Sequence, residues 1–120
     1  MKLFPKLRVL YLNNSKIGSF RPLRSLRAIS SLHLQSSNID SLDDLSELYT
    51  LRKLLLSRTA ITELKPLEKL ENLTSLHLAH NRPVDLFPIR NLQNLVYLNL
   101  NWTDHKNLSA STNPNLKLIS

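Results

Sequence analysis

His33, His77 and His80 are the side chains of this 120-residue chain best suited to holding a metal ion or moving a proton near neutral pH. Arg8, Arg52, Lys53 and Arg58 suit an anion, and Tyr11, Tyr97 and Trp102 suit a partner surface. Composition closes off other chemistries. There is no cysteine, so thiolate zinc sites, disulfides and cysteine nucleophiles are excluded. There is one glycine, Gly18, so glycine-rich phosphate loops are excluded too. What the histidines and cations can do depends on the segments that carry them, and on whether carboxylates stand beside them.

Those segments repeat. Leucine fills 29 positions, far above ordinary usage. Leu7, Ile29, Leu51, Leu73 and Leu95 lie 22 residues apart, and apolar residues follow each at offsets 3, 5, 10, 13, 16 and 19. The cleanest copy reads Leu51, Leu54, Leu56, Ile61, Leu64, Leu67, Leu70. Over four copies, 27 of 28 template positions are aliphatic or Phe; the exception is Pro83, whose gap Val84 can fill. The fifth copy decays: Leu95, Leu98, Leu100 and Leu108 fit, while His105, Ser111 and Pro114 do not. The chain therefore divides into a partial unit 1–6, units 7–28, 29–50, 51–72 and 73–94, a degenerate unit 95–115 and a partial strand 116–120, all in one domain 1–120. The segment Leu116 to Ile119 is expected to form a sixth strand, one residue out of register.

Each unit changes its period internally. The opening L-x-x-L-x-L alternates as a strand does. The later apolar steps of three suit a 3₁₀ turn. Pro22, Pro66 and Pro88 fall where that turn begins, with Asp44 at the matching place in the second unit. Each unit is thus a strand, a loop, a short helical turn and a return. One unit cannot bury its leucines alone, but neighbours stacked on both sides can.

At this point the sequence resembles the leucine-rich-repeat family. The motif L-x-x-L-x-L-x-x-N stands at Leu73, Leu76, Leu78 and Asn81. The run Ile61, Leu64, Pro66, Leu67 is similar to the 22-residue internalin-like and phosphatase-regulator-like subclass. The resemblance implies an α/β right-handed solenoid, with a curved parallel sheet on the concave side and 3₁₀ or short helical turns on the convex side. It also implies binding of other proteins. The other units depart from the motif asparagine, carrying Ser15, Ser37, Thr59 and Thr103, whose hydroxyls reach less far.

The repeat frame sorts the charges. Counted from the first leucine of each unit, positions 2, 3, 5, 7 and 8 belong to the concave face and its rim. All nine acids fall at positions 10 to 22. The concave set holds Arg8, Tyr11, His33, Arg52, Lys53, Arg58, His77, His80, Tyr97, Asn99 and Trp102, which are the expected partner-binding residues. Trp102 has an alternative role as a cap over the decaying fifth unit. His33 and His77 are two units apart, about 9–10 Å, too far to share one ion. No acid stands near them to build a hydrolytic site. We therefore expect no enzyme activity, no catalytic residue, no metal ligand and no cofactor. The histidines instead imply a face that grows more cationic in mild acid, with affinity for an acidic partner rising between about pH 7.5 and 5.5. On the convex side, Arg21, Asp43 and Lys65 are expected to stack, Glu47 to face Lys69, and Glu68 to face Arg90.

The net charge is +7, which attracts anionic partners. The leading expectation is a protein-interaction module for a partner with an acidic surface. One alternative is nucleic acid or an anionic membrane, held by Lys2, Lys6, Arg8, Lys16, Arg21, Arg24 and Arg27; the acids from Asp40 to Glu47 follow directly and weigh against it. Another is a fragment of a larger protein with no separate activity. The uncapped ends imply self-association. No apolar run approaches the roughly 20 residues of a membrane span, and Pro5, Lys6 and Arg8 interrupt any signal-like run, so a cytoplasmic setting is expected.

Overall fold

The computed structural model describes residues 6–120. The partial unit read over 1–6 lies outside them, except for Lys6. Six three-residue strands form one parallel sheet in the order β1 (Val9–Tyr11), β2 (Ser31–His33), β3 (Lys53–Leu55), β4 (Ser75–His77), β6 (Tyr97–Asn99) and β8 (Lys117–Ile119). Two shorter strands, β5 (Val84–Asp85) and β7 (His105–Lys106), pair in parallel in a second sheet. Five 3₁₀ turns close the units at Arg21–Ser25, Asp43–Leu45, Lys65–Leu67, Phe87–Ile89 and Leu108–Ala110.

The sequence dictates these elements locally. Strands stay short because the chain leaves the sheet through a left-handed residue just beyond them, at Asn14, Ser36, Arg58, His80 and Trp102. Pro22, Pro66 and Pro88 open three of the 3₁₀ turns, where a missing N–H costs nothing. Four turns are also held by the side chain two residues earlier. Ser19, Ser41, Glu63 and Asp85 accept the N–H of Arg21, Asp43, Lys65 and Phe87 at 2.9–3.2 Å.

Strand leucines point inward at Leu32, Leu54, Leu76 and Leu98, all fully buried, and meet Leu34, Leu56, Leu78, Ile39, Ile61 and the turn leucines in one continuous core. At the one irregular template position of the fourth unit, Pro83 is exposed and Val84 beside it is buried. Hydroxyl and amide groups tie the coils together behind the sheet. Thr50 and Thr74 donate to the carbonyls of Ile29 and Arg52, while Asn72 and Asn94 donate to those of Tyr49 and Glu71.

Two features depart from expectation. Strands β1 to β6 pair at steps of 22, such as Val9 with Ser31, but Tyr97 pairs with Lys117, a step of 20. The last strand is therefore two residues out of register, not one. One residue of the slip is already present where Val84 pairs with His105, a step of 21, and in the turn that follows buried Asn113 donates to both the Leu92 and Leu95 carbonyls. The convex ion pairs also differ. Among the described residues, Arg24 pairs with Asp44 at 2.5 Å and Arg27 reaches Glu47 at 4.0 Å. Neither the Arg21–Asp43–Lys65 stack nor the Glu47–Lys69 and Glu68–Arg90 pairs form. Arginines reach diagonally to the next coil, and Arg90 lies 3.8 Å above the Phe87 ring instead.

Candidate partner-binding face

Side chains alternate across each strand, so the sheet presents two rows to the outside. Register aligns the first as Val9, Ser31, Lys53, Ser75, Tyr97 and Lys117. The second runs Tyr11, His33, Leu55, His77, Asn99 and Ile119. Six of the expected site residues thus fall on these rows: Tyr11, His33, Lys53, His77, Tyr97 and Asn99. Arg8 and Arg52 flank the strands at one end, both exposed. Arg58, His80 and Trp102 form a ridge at the other end, also exposed. Trp102 is 82% exposed, so its indole does not cap the fifth unit.

The histidines are held by neighbours that the sequence reading passed over. Ser31 Oγ lies 2.9 Å from His33 Nε2, and Ser75 Oγ lies 3.1 Å from His77 Nε2. Each serine stands two residues before its histidine on the same strand face, so period two alone would have found it. Tyr11 stacks on His33 with ring centroids 4.2 Å apart, and Tyr97 tilts against His77 at 5.1 Å. Lys53 and nearly buried Leu55 occupy the strand between the two histidines. The centre of the face is therefore a cation between two matching Tyr–His–Ser clusters.

This arrangement acts on the imidazoles. Burial lowers the His33 pKa below its ordinary 6.5, and the charge of Lys53 lowers it further. Burial, then Lys53, then His33 do the same for His77. Both rings are thus held neutral to lower pH than the sequence implies. The free face therefore gains its histidine charge only below the ordinary imidazole value, lower than the window the sequence implies.

Neither outward row carries a carboxylate. Among the described residues, no three His, Asp or Glu side chains converge on one point. A hollow of about 680 Å³ lies on the turn side, where Arg24, Lys65 and Lys69 alternate with Asp43, Glu47 and Glu68. Its mixed charge offers no single-signed ligand a site. No helix among the described residues is long and apolar enough to cross a membrane.

Residues 50–90 match the family model described as leucine-rich repeats in two copies. No curated protein matches the chain in sequence. Among solved structures, internalin C2 of Listeria monocytogenes is similar over 93% of this chain and 51% of its own, at 26% identity and a TM-score of 0.85. A leucine-rich-repeat protein of Leptospira interrogans covers 98% of this chain and 34% of its own, at 24% identity and a TM-score of 0.80. A second Listeria monocytogenes internalin covers 93% and 40%, at 17% identity and a TM-score of 0.61. This chain spans about half the length of the first of these structures and less of the others. Fold and motif together define a leucine-rich-repeat solenoid with internalin-like neighbours. Proteins of this class commonly serve as protein-interaction modules.

Proposed function

We propose that the chain binds another protein on its concave sheet face and that the partner surface is acidic. One observation carries this reading: Lys53 stands between two histidine clusters on a face whose rows hold no carboxylate. Complementary charge of this kind mainly raises the on-rate and selects the partner. The aromatic side chains Tyr11 and Tyr97 supply contact area on either side. Two cations of the basic first unit, Arg24 and Arg27, face Asp44 and Glu47, which weighs against nucleic acid or an anionic membrane as the partner.

The test compares capture from a cell extract by the intact chain and by the Arg52→Glu/Lys53→Glu double variant. Loss of the bound proteins, with the melting temperature retained, is the expected result. Unchanged capture removes the concave face from the proposal.

A further inference from the structure

Asn14, Ser36, Arg58, His80 and Trp102 share one backbone conformation, with φ of 62, 57, 57, 56 and 60°. They stack along one rim of the sheet. The N–H groups of Asn14, Ser36, Arg58 and His80 donate to Gln35, Ser57, Ala79 and Asn101 in the next unit at 2.7–3.0 Å. Left-handed backbone suits glycine and asparagine, is tolerated by histidine, and strains bulky side chains such as those of Arg58 and Trp102. The first unit obeys this with Asn14, and the second carries the small Ser36. The next three carry Arg58, His80 and Trp102 instead. Packing does not repay the strain. Trp102 is 82% exposed, its ring only facing that of His80 at 6.2 Å and 24°. Arg58 is exposed and has no carboxylate partner among the described residues.

We propose that the ridge Arg58–His80–Trp102 reads a polyproline-II segment of a protein partner, with a carboxylate and an aromatic side chain three residues apart. This rests on the protein-binding reading above and names the segment it would recognise. Neighbouring strands lie about 4.8 Å apart, so Arg58 and Trp102 stand about 9.6 Å apart. A polyproline-II helix has three residues per turn and rises about 3.1 Å per residue, so positions i and i+3 share a side about 9.3 Å apart. In a β-strand, i and i+3 point to opposite faces. The Arg58 guanidinium donates two parallel N–H bonds to the carboxylate. The exposed indole of Trp102 supplies the contact for the aromatic side chain.

Trp102 is the single tryptophan, so its fluorescence reports contact directly. The probes are proline-rich synthetic peptides with Glu and Phe three residues apart, the same two or four apart, and the three-apart peptide with Gln for Glu. A saturable blue shift with the first, about tenfold weaker with each of the others, is expected. Arg58→Asn should weaken that binding about tenfold while leaving the melting temperature unchanged or higher, because asparagine suits the left-handed backbone. Equal responses at every spacing, or no saturable change up to about 5 mM peptide, overturn the proposal. So does a fall of several degrees in the melting temperature of Trp102→Asn, which would make the indole a structural support. If the concave double variant loses its partners while no peptide registers at Trp102, the ridge proposal alone fails.

Discussion

Ser37 and Asn81 hold the same place in units two apart, yet the Asn81 side chain makes three hydrogen bonds and the buried Ser37 hydroxyl makes none. Asn81 Oδ1 accepts from the Thr59 N–H and hydroxyl, and Nδ2 donates to the Leu56 carbonyl. Thr103 continues the ladder by accepting the Asn81 N–H at 2.9 Å and donating to the Leu78 carbonyl. Both the Asn81 amide and the Thr103 hydroxyl bridge neighbouring coils at this position, while the Ser37 hydroxyl finds no partner.

The two residues should therefore respond oppositely to truncation. Asn81→Ala leaves the Thr59 N–H unpaired, at a cost of about 1–3 kcal/mol, and takes one of two donors from the Leu56 carbonyl, which keeps the Thr59 hydroxyl. Urea unfolding should show a loss of about 2 kcal/mol or more for this variant. Ser37→Ala removes an unpartnered buried hydroxyl and should leave stability unchanged or raise it by up to about 1 kcal/mol. Equal losses at the two positions would contradict the ladder.

Core substitutions should follow the one-dimensional build of the stack. Leu54 is fully buried between coils on both sides, and Leu54→Ala should cost about 3–5 kcal/mol. Leu118 on β8 is only half-buried, with a strand on one side, and its truncation should cost about 1–2 kcal/mol. Chemical denaturation of the two variants checks the order.

The leucine spacing made the sheet, its register through β6 and the core readable in advance, because each inward position is set by a rigid period. The concave rows were readable for the same reason. Three things were not. Convex pairing depends on the reach of flexible side chains, so Arg24 finds Asp44 and Arg90 settles on Phe87. The slip before β8 builds up across the degenerate unit, one residue of it by the Val84–His105 pair, which no period encodes. The lowered histidine pKa values depend first on burial and then on Lys53 of the strand between them, both of which arise only on folding.

Asp85 offers a test on the turn side. Its Oδ1 accepts from Asn107 Nδ2 at 2.7 Å and from the Phe87 N–H at 2.9 Å. The Asn107 bond first, then the Phe87 bond, hold its pKa below the ordinary 3.8 against an opposing desolvation, with Lys106 adding the smallest lowering. A carboxylate lowered in this way stabilises the fold fully above pH 3.8, and the contribution fades as pH falls through the lower folded value. Asn107→Ala should move the Asp85 midpoint up toward 3.8 in an NMR carboxyl titration. An unmoved midpoint would sink the assignment.

The histidines carry the opposite charge and a different pH window. His33 and His77 titrate below 6.5 in the folded chain, so below that pH the unfolded chain binds more protons. Their contribution to stability is complete above 6.5 and is lost as pH falls from there through the folded values. The melting temperature should therefore drop between about pH 7 and 5, and less steeply in His33→Gln/His77→Gln. An acidic partner seated over Lys53 reverses the sign, because its charge raises both imidazole pKa values. Binding should then take up protons, and affinity should climb as pH falls below 6.5. Lys53→Gln separates the causes: it should raise both midpoints, since Lys53 is the second cause at each histidine, while burial keeps them below 6.5. A wild-type His77 midpoint at or above 6.5 by NMR, or midpoints indifferent to Lys53, would refute this account of the face.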